Sequence, residues 1–361
     1  PKKTKAMEAP PAVCGVTGGT GLVGRRLVEM LAERGAKTVV SFDVAPKPAD
    51  ASDRINGCEI VYVKGDITKY EQVLEAFKDC GCIWHIAALV GPYHDFKKYY
   101  EVNYKGTLNI INACKELGIG KIVMSSSPST RFDGNDVVGK TVEELDFPKK
   151  YTHAYAETKA MGERAMSEAC DGSNLLTVAI APHQVYGPRD MLFLHNFLVA
   201  RKKLRIIGNG KNKISMTHVD NYCHGLILGE KALYPGSPAL GKFYIVTDKD
   251  PQYLWQVLDH AFVYLGYTSL RERMAVPGWL ITPIAHVVQL AGQLLGRKFK
   301  LNPFAVRMLM IHRWFDITAA ERDLKYEPLL SFEEGWRDTL EWFKHNWMPK
   351  FDPESAEKLL R

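Results

Sequence analysis

In the first half of the chain, short apolar runs alternate with longer stretches whose apolar residues return every three or four positions. Residues 12–17 are apolar and compact, as a buried strand is. Past Gly18, Gly21 and Gly24 the pattern turns helical, with Leu27, Met30 and Leu31 on one face. Residues 38–42 form a second strand with Asp43 at its carboxyl end. The alternation continues with strands over 59–63, 82–86, 121–124 and 175–180. Between them lie a helix with Val73, Leu74 and Phe77 facing inward, a long helical run to Leu117, and a helix over 152–169. Strands alternating with helices predict an α/β fold, a Rossmann-like doubly wound parallel sheet. Ligands in such a sheet bind outside the carboxyl ends of the strands.

The rhythm loosens after Pro188. Residues 191–204 read as a helix and 206–218 as loop and short strand turning at Gly208 and Gly210. Residues 219–233 read as a helix and 242–247 as a strand, and from Asp250 onward the pattern is mostly helical. The expected organisation is a dinucleotide-binding domain over 12–188 that also receives 219–248. A smaller, mostly helical substrate-binding lobe is expected from 189–218 and 249–350. At 361 residues the chain is long enough for both.

The glycine spacing, G-x-x-G-x-x-G between a strand and a helix, carries the first chemistry. Gly18 and Gly21 permit a tight turn and close backbone approach to a pyrophosphate. Leu22 and Val23 open the helix with free N–H groups, and Gly24 lets helix and strand pack closely. Asp43 stands where a carboxylate reaches both ribose hydroxyls and repels a 2′-phosphate, which predicts NAD rather than NADP. Asp66 and Ile67 are placed to bracket the adenine, although Asp66 (or Thr68) serves equally well as a helix cap. Ala87 leaves room over the strand ends. Pro182 and His183 finish the strand over 175–180 and so face the cofactor.

Tyr155 and Lys159 sit four residues apart on one helical face. A free phenol titrates near pH 10 and is a poor base at neutral pH. The ammonium and a cationic nicotinamide would favour the phenolate, and a shift of about 3 units needs ~4 kcal/mol. Ser127 closes a serine run at the end of the strand over 121–124, about 30 residues earlier, and a parallel sheet returns both to the cofactor's edge. Ser127 would hold the reacting oxygen, with Ser129 as alternate. Tyr151 is a rival phenol without a lysine four residues on. Asn103 reads equally as a tie to active-site backbone and as a structural amide.

Net charge is +6, which carries no nucleic-acid signature. The seven cysteines are odd in number and scattered, as expected of reduced thiols in the cytoplasm. His and Cys residues show no metal-ligand spacing, and no metal is expected. Residues 274–296 contain no charged side chain. Thr282, His286, Gln289 and Gln293 form a polar stripe opposite Leu280, Ile284, Val287, Ala291 and Leu294, and Pro283 interrupts the run. A helix from 283 to 296 would extend only ~20 Å, short of a ~30 Å hydrocarbon core. With Arg297, Lys298 and Lys300 following, two readings stand level. One is peripheral contact with a membrane surface such as the endoplasmic reticulum through 274–300. The other is a helix packed on the substrate lobe.

Residues 17–24, 103–109 (Asn-Tyr-Lys-Gly-Thr-Leu-Asn), Ser125 to Ser127 and the Tyr155–Lys159 pair resemble the extended short-chain dehydrogenases. Residues 182–190 (Pro-His-Gln-Val-Tyr-Gly-Pro-Arg-Asp), 207–212 with His218-Val-Asp-Asn and His224-Gly225, and Phe132 to Asp136 with Glu143-Glu144 narrow this. They resemble the sterol-4α-carboxylate 3-dehydrogenases (decarboxylating), a branch of the 3β-hydroxysteroid dehydrogenase family. The resemblance spans about residues 12–347. It implies NAD-dependent oxidation of a 3β-hydroxyl with loss of carbon dioxide, a sterol or steroid substrate, and a homodimer through the helices carrying Asn103 and Tyr155. A steroid dehydrogenase with or without isomerase activity is the next reading, then a nucleotide-sugar epimerase or dehydratase, then a non-catalytic NAD sensor. The sugar enzymes usually carry an arginine where this chain has Ile214, which implies an apolar slot rather than a diphosphate clamp. The family's usual arginine before Pro182 is Ala181 here, leaving His183 and Arg189 as cationic candidates for a substrate carboxylate.

Overall fold

The computed structural model describes residues 9–91, 94–295, 299 and 301–352. Seven parallel strands make the main sheet: β1 (Val13–Thr17), β2 (Thr38–Asp43), β3 (Cys58–Lys64), β4 (Cys82–His85), β5 (Lys121–Ser125), β6 (Leu176–Pro182) and β7 (Phe243–Val246). Their spatial order is β7-β6-β5-β4-β1-β2-β3, and a short antiparallel strand, Arg54–Ile55, borders β3. The order reverses between β1 and β4, and the crevice there is where an open α/β sheet takes its ligand.

Both faces of the sheet are covered, and strand residues alternate between them. Cys14, Val39, Trp84 and Val123 face one core with α1 (Leu22–Glu33) and Val219–Lys231. Val40, Ile83, Ile122 and Met124 face the other with Tyr70–Phe77 and Gly106–Leu117. Burial on both sides explains why these strands read as continuous apolar runs. A third core gathers Phe193, Leu198, Ile214, Trp255, Leu258, Phe262, Trp336 and Phe343 beside the sheet. A small sheet borders it, in the order Gln252–Tyr253, Lys213–Ile214, Arg313–Phe315 and Val137–Lys140. Sequence periodicity did not reveal its strands at 137–140 and 313–315, which are too short to show a period.

Several elements differ from expectation. The helix expected over 191–204 is only Leu194–Val199, because buried Asp190 takes the N–H groups of Leu192, Phe193 and Leu194 and turns the chain first. The long run to Leu117 breaks into Phe96–Tyr99, a π-helical turn over Tyr100–Lys105, and Gly106–Leu117. Neither Asp66 nor Thr68 caps the helix at Tyr70. Asp66 Oδ1 instead accepts from Thr68 N at 2.9 Å.

The helix expected from Pro283 starts earlier and runs through the proline, Gly278–Leu294. Only Ala285 and Gly292 of this helix are fully buried. The protein therefore covers a narrow face of small residues and leaves the large apolar ones outward. Among the described residues no helix is long and apolar enough to cross a membrane. Residues 296–298 and 300, which include Arg297, Lys298 and Lys300, lie outside the described residues.

Candidate active site

The floor of the crevice is a buried polar chain. Thr17 Oγ1 meets His85 Nδ1 at 2.9 Å and accepts from Ala87 N at 3.1 Å, while His85 Nε2 meets Thr107 Oγ1 at 3.0 Å. Burial, helped by the Lys159 charge, pushes the His85 imidazole down to about 3, so it is neutral. This chain holds the backbone at Ala87 against the glycine turn. Gly18 lies at φ +68°, and a side chain there would strike Ala87 backbone at 2.9 Å. A Cβ on Gly24 would come within 2.0 Å of Gly18 O. At Gly21, where α1 begins, no side chain caps the helix, so its first N–H groups, including those of Leu22 and Val23, face a cradle only glycines could shape. Asp43 sits at the groove edge, its oxygens held at 3.1 Å by Thr20 N and Ala45 N, with lone pairs left for a ribose diol. The cradle thus fits a dinucleotide. Ile67, next to Asp66, is buried with its side chain packed against Gly106.

The reacting end is built by the helix Ala154–Glu168 and the turn after β5. Ser127 caps the 3₁₀ turn Pro128–Arg131, accepting from Ser129 N at 3.2 Å and Ser129 Oγ at 2.9 Å, and it lines the same cavity as the Tyr155 phenol. Lys159, 3% exposed, donates to Ser125 O at 2.7 Å. The expected lowering of the phenol needs a cationic nicotinamide as well as the ammonium, and in the protein alone burial dominates. The Tyr155 phenol is pushed up to about 12, with Ser127 opposing. Burial also brings the Lys159 ammonium down to about 8, opposed by Glu163. Without further positive charge, Tyr155 is a proton donor rather than a base.

Asn103 lies in the π-helical turn, a distortion common at functional sites. Its Oδ1 accepts from Leu89 N at 2.7 Å, and its Nδ2 donates to Leu89 O at 3.1 Å and to Thr158 Oγ1 at 3.4 Å. It thereby ties the loop after β4 to the helix carrying Tyr155. The π-helical turn itself is what a regular helical reading of residues 96–117 does not show.

Tyr155 and Ser127 open into a cavity of about 470 Å³. Ser129, Pro182 and His183 also line it, together with residues that sequence reasoning missed: His153, Phe304, Met308, Arg313 and Phe315. The latter four lie far along the chain, in segments with no fingerprint. His183 Nδ1 meets Ser215 O at 2.7 Å, so Nδ1 carries the proton. Burial and the neighbouring Arg313 push this imidazole down to about 3, and a neutral ring is no cation for a carboxylate. Arg189 is elsewhere, paired to Glu29 at 2.9 Å. Ile214 is fully buried in the third core and does not line the cavity, because its strand pairs on both edges and sends it inward.

A glycine cradle at the switch point, an acid at the second strand and a Ser–Tyr–Lys cluster at the mouth of an apolar cavity define a dinucleotide-dependent oxidoreductase of the extended short-chain dehydrogenase class. The model of the 3-beta hydroxysteroid dehydrogenase/isomerase family matches residues 15–276, and the chain belongs to that family. It is 34% identical over 351 residues to 3beta-hydroxysteroid-dehydrogenase/decarboxylase isoform 1 of Arabidopsis thaliana, covering 92% of this chain and 80% of that one. It spans 62% of the length of isoform 2, at 33% identity over 92% of this chain. The human sterol-4-alpha-carboxylate 3-dehydrogenase, decarboxylating, is 30% identical over 340 residues, 92% of this chain and 88% of the relative. Among solved structures, a dTDP-glucose 4,6-dehydratase from Streptomyces venezuelae with NAD bound shares the fold. Its TM-score is 0.70 at 20% identity, covering 93% of this chain and 99% of that one.

Proposed function

We propose that the protein is an NAD-dependent sterol-4α-carboxylate 3-dehydrogenase, decarboxylating. The observation that carries this reading is that Ser127 and Tyr155 line one cavity with Phe304, Met308 and Phe315. Its volume falls within the range of pockets that enclose drug-sized ligands. The relatives' names supply the sterol carboxylate.

Bound at the glycine cradle, NAD supplies the hydride acceptor and a positive charge beside Tyr155. That charge favours the phenolate, which then takes the proton of the 3β-hydroxyl. Ser127 donates to the same oxygen and holds it. Lys159 keeps its ammonium beneath the phenol, tied to Ser125 O. Oxidation at carbon 3 converts the substrate to a β-keto carboxylate. The bond from carbon 4 to the carboxylate then breaks, carbon dioxide leaves, and the electron pair passes into an enolate whose charge rests on the carbon 3 oxygen. Ser127 and the reprotonated Tyr155 already hydrogen-bond that oxygen, so one site stabilises both steps.

The exposed face of Gly278–Leu294 supports contact with a membrane surface, where a sterol would be drawn in. The same reading carries a homodimer, checked by light scattering. Purified protein given NAD and a 4α-carboxysterol should release NADH and carbon dioxide in equal yield. NADH without enzyme-dependent carbon dioxide would leave a 3β-hydroxysteroid dehydrogenase, and neither product would overturn the reading.

A further inference from the structure

One buried carboxylate stands behind the reacting cluster. Glu163 lies on the helix Ala154–Glu168, four residues past Lys159 and eight past Tyr155, so the three share a face. It is 3% exposed, and it does not line the substrate cavity. Its partners come from a single turn. Oε1 pairs with Arg131 Nη1 at 2.6 Å. Oε2 accepts from Ser126 Oγ and lies 3.2 Å from Thr130 Oγ1. Ser126 precedes Ser127, and Thr130 and Arg131 end the 3₁₀ turn that Ser127 caps. One carboxylate thus grips the chain on both sides of Ser127.

Arg131 is itself fixed. Its guanidinium lies over the Phe243 ring at 3.6 Å and the Phe147 ring at 4.4 Å, and it donates to Thr130 Oγ1 at 2.8 Å. The turn therefore presents a held cation and two hydroxyls to Glu163, the kind of answer a buried carboxylate needs.

The same carboxylate acts on Lys159. The ionisable groups around this ammonium are Tyr155 and Glu163 on its own helix, with Arg131 behind Glu163, and His85 from β4. Tyr222, from the helix Val219–Lys231, bonds the Ser125 hydroxyl at 2.7 Å. His85 is neutral and both phenols are raised by burial, so Glu163 is the negative charge that supports Lys159.

We infer that Glu163 is a positioning residue for the oxidation: it fastens the Ser127 turn to the helix carrying Tyr155 and keeps Lys159 charged beneath the phenol. This rests on the proposed roles of Ser127, Tyr155 and Lys159. One group then sets both the hydroxyl that holds the reacting oxygen and the cation that favours the phenolate. A displaced Ser127 weakens the transition state, because its hydroxyl must lie where charge develops.

The test uses Glu163→Gln, which keeps the shape and removes the charge, and Glu163→Asp, which keeps the charge on a shorter stem. NADH formation from NAD and a 4α-carboxysterol is followed at pH 7 and pH 9. Removing the Glu163 charge leaves Arg131 unanswered, and both changes lower the pH at which Lys159 gives up its proton. A midpoint lower by about one pH unit makes the ratio of wild-type to Glu163→Gln kcat roughly fivefold larger at pH 9 than at pH 7. KM and NAD affinity should change by less than about twofold, since Glu163 does not line the cavity, and NAD affinity also reports folding. Glu163→Asp should lower kcat by the same factor at both pH values, as a loss of position does. A Glu163→Gln defect of equal size at the two pH values, or a Glu163→Asp enzyme with wild-type kcat, overturns the inference and leaves the proposed function standing. NMR titration of ¹³C-labelled lysines, with the Lys159 signal identified by its loss in Lys159→Met, reads the same change without turnover. The midpoint should fall in Glu163→Gln, and an unchanged midpoint overturns the inference whether or not a sterol is oxidised. A wild type that oxidises no sterol removes the proposed function instead.

Discussion

Tyr155 and Lys159 illustrate how a residue's neighbours set its chemistry. The phenol is raised to about 12 and the ammonium lowered to about 8 by the same cause, removal from water. Tyr155→Phe should bind NAD normally and lose at least roughly 10³-fold in kcat, measured as NADH formation, since the proton acceptor is gone. Lys159 holds its charge at a cost to the fold. Its folded value lies below the ordinary lysine value, so unfolding takes up a proton between about pH 8 and 10.5. The penalty is full below pH 8 and fades as pH rises through that window. Lys159→Met should therefore be inactive yet more stable at pH 7 by about 1–3 kcal/mol, with the gain shrinking toward pH 10.5 in denaturant titrations.

At the scale of elements, the helix Gly278–Leu294 departs most from its surroundings. Trp279, Val287 and Leu290 are 77%, 67% and 58% exposed and share one face, next to the polar stripe of His286, Gln289 and Gln293. That arrangement suits a helix lying in a bilayer interface, its apolar side down and polar side in the headgroups. Wild type should float with anionic phospholipid vesicles, and a variant with Ser at 279, 287 and 290 should not. Because these side chains are exposed, the variant's melting temperature should stay within a few degrees of wild type. A variant that floats equally would remove the membrane reading.

Across the whole molecule, histidines lowered by burial govern acid behaviour, three of them most strongly. His85 and His183 are pushed down to about 3 and His224 to about 4, in each case first by burial. The folded protein leaves them neutral while the unfolded chain protonates them below about pH 6.5, so stability should fall as pH falls through that range. Three protons taken up on unfolding give a slope near pH 5 of roughly 4 kcal/mol per pH unit. Buried Asp190 and Asp248, whose carboxyls are raised, act in the opposite sense and reduce it. Chemical denaturation at pH 7, 6 and 5 measures this slope, and a flat profile would show that these imidazoles titrate freely.

The local rules of chain chemistry were sufficient to read the parallel sheet, the glycine cradle, Asp43 and the Ser127–Tyr155–Lys159 cluster. Apolar periodicity and the glycine spacing are properties of neighbouring residues, and a parallel sheet returns every strand end to one edge. The cavity could not be read this way. Arg313, Phe304 and Met308 share a cavity with Tyr155 because the short strand Arg313–Phe315 pairs with Lys213–Ile214 and Val137–Lys140. Burial also depends on the whole fold, and it takes Ile214 away from the cavity and leaves His183 without a charge. Sequence alone therefore determined the candidate reaction centre, whose parts are set by local spacing. Tertiary structure decided what surrounds the substrate, because pairings between distant short strands and the exclusion of water belong to no single segment.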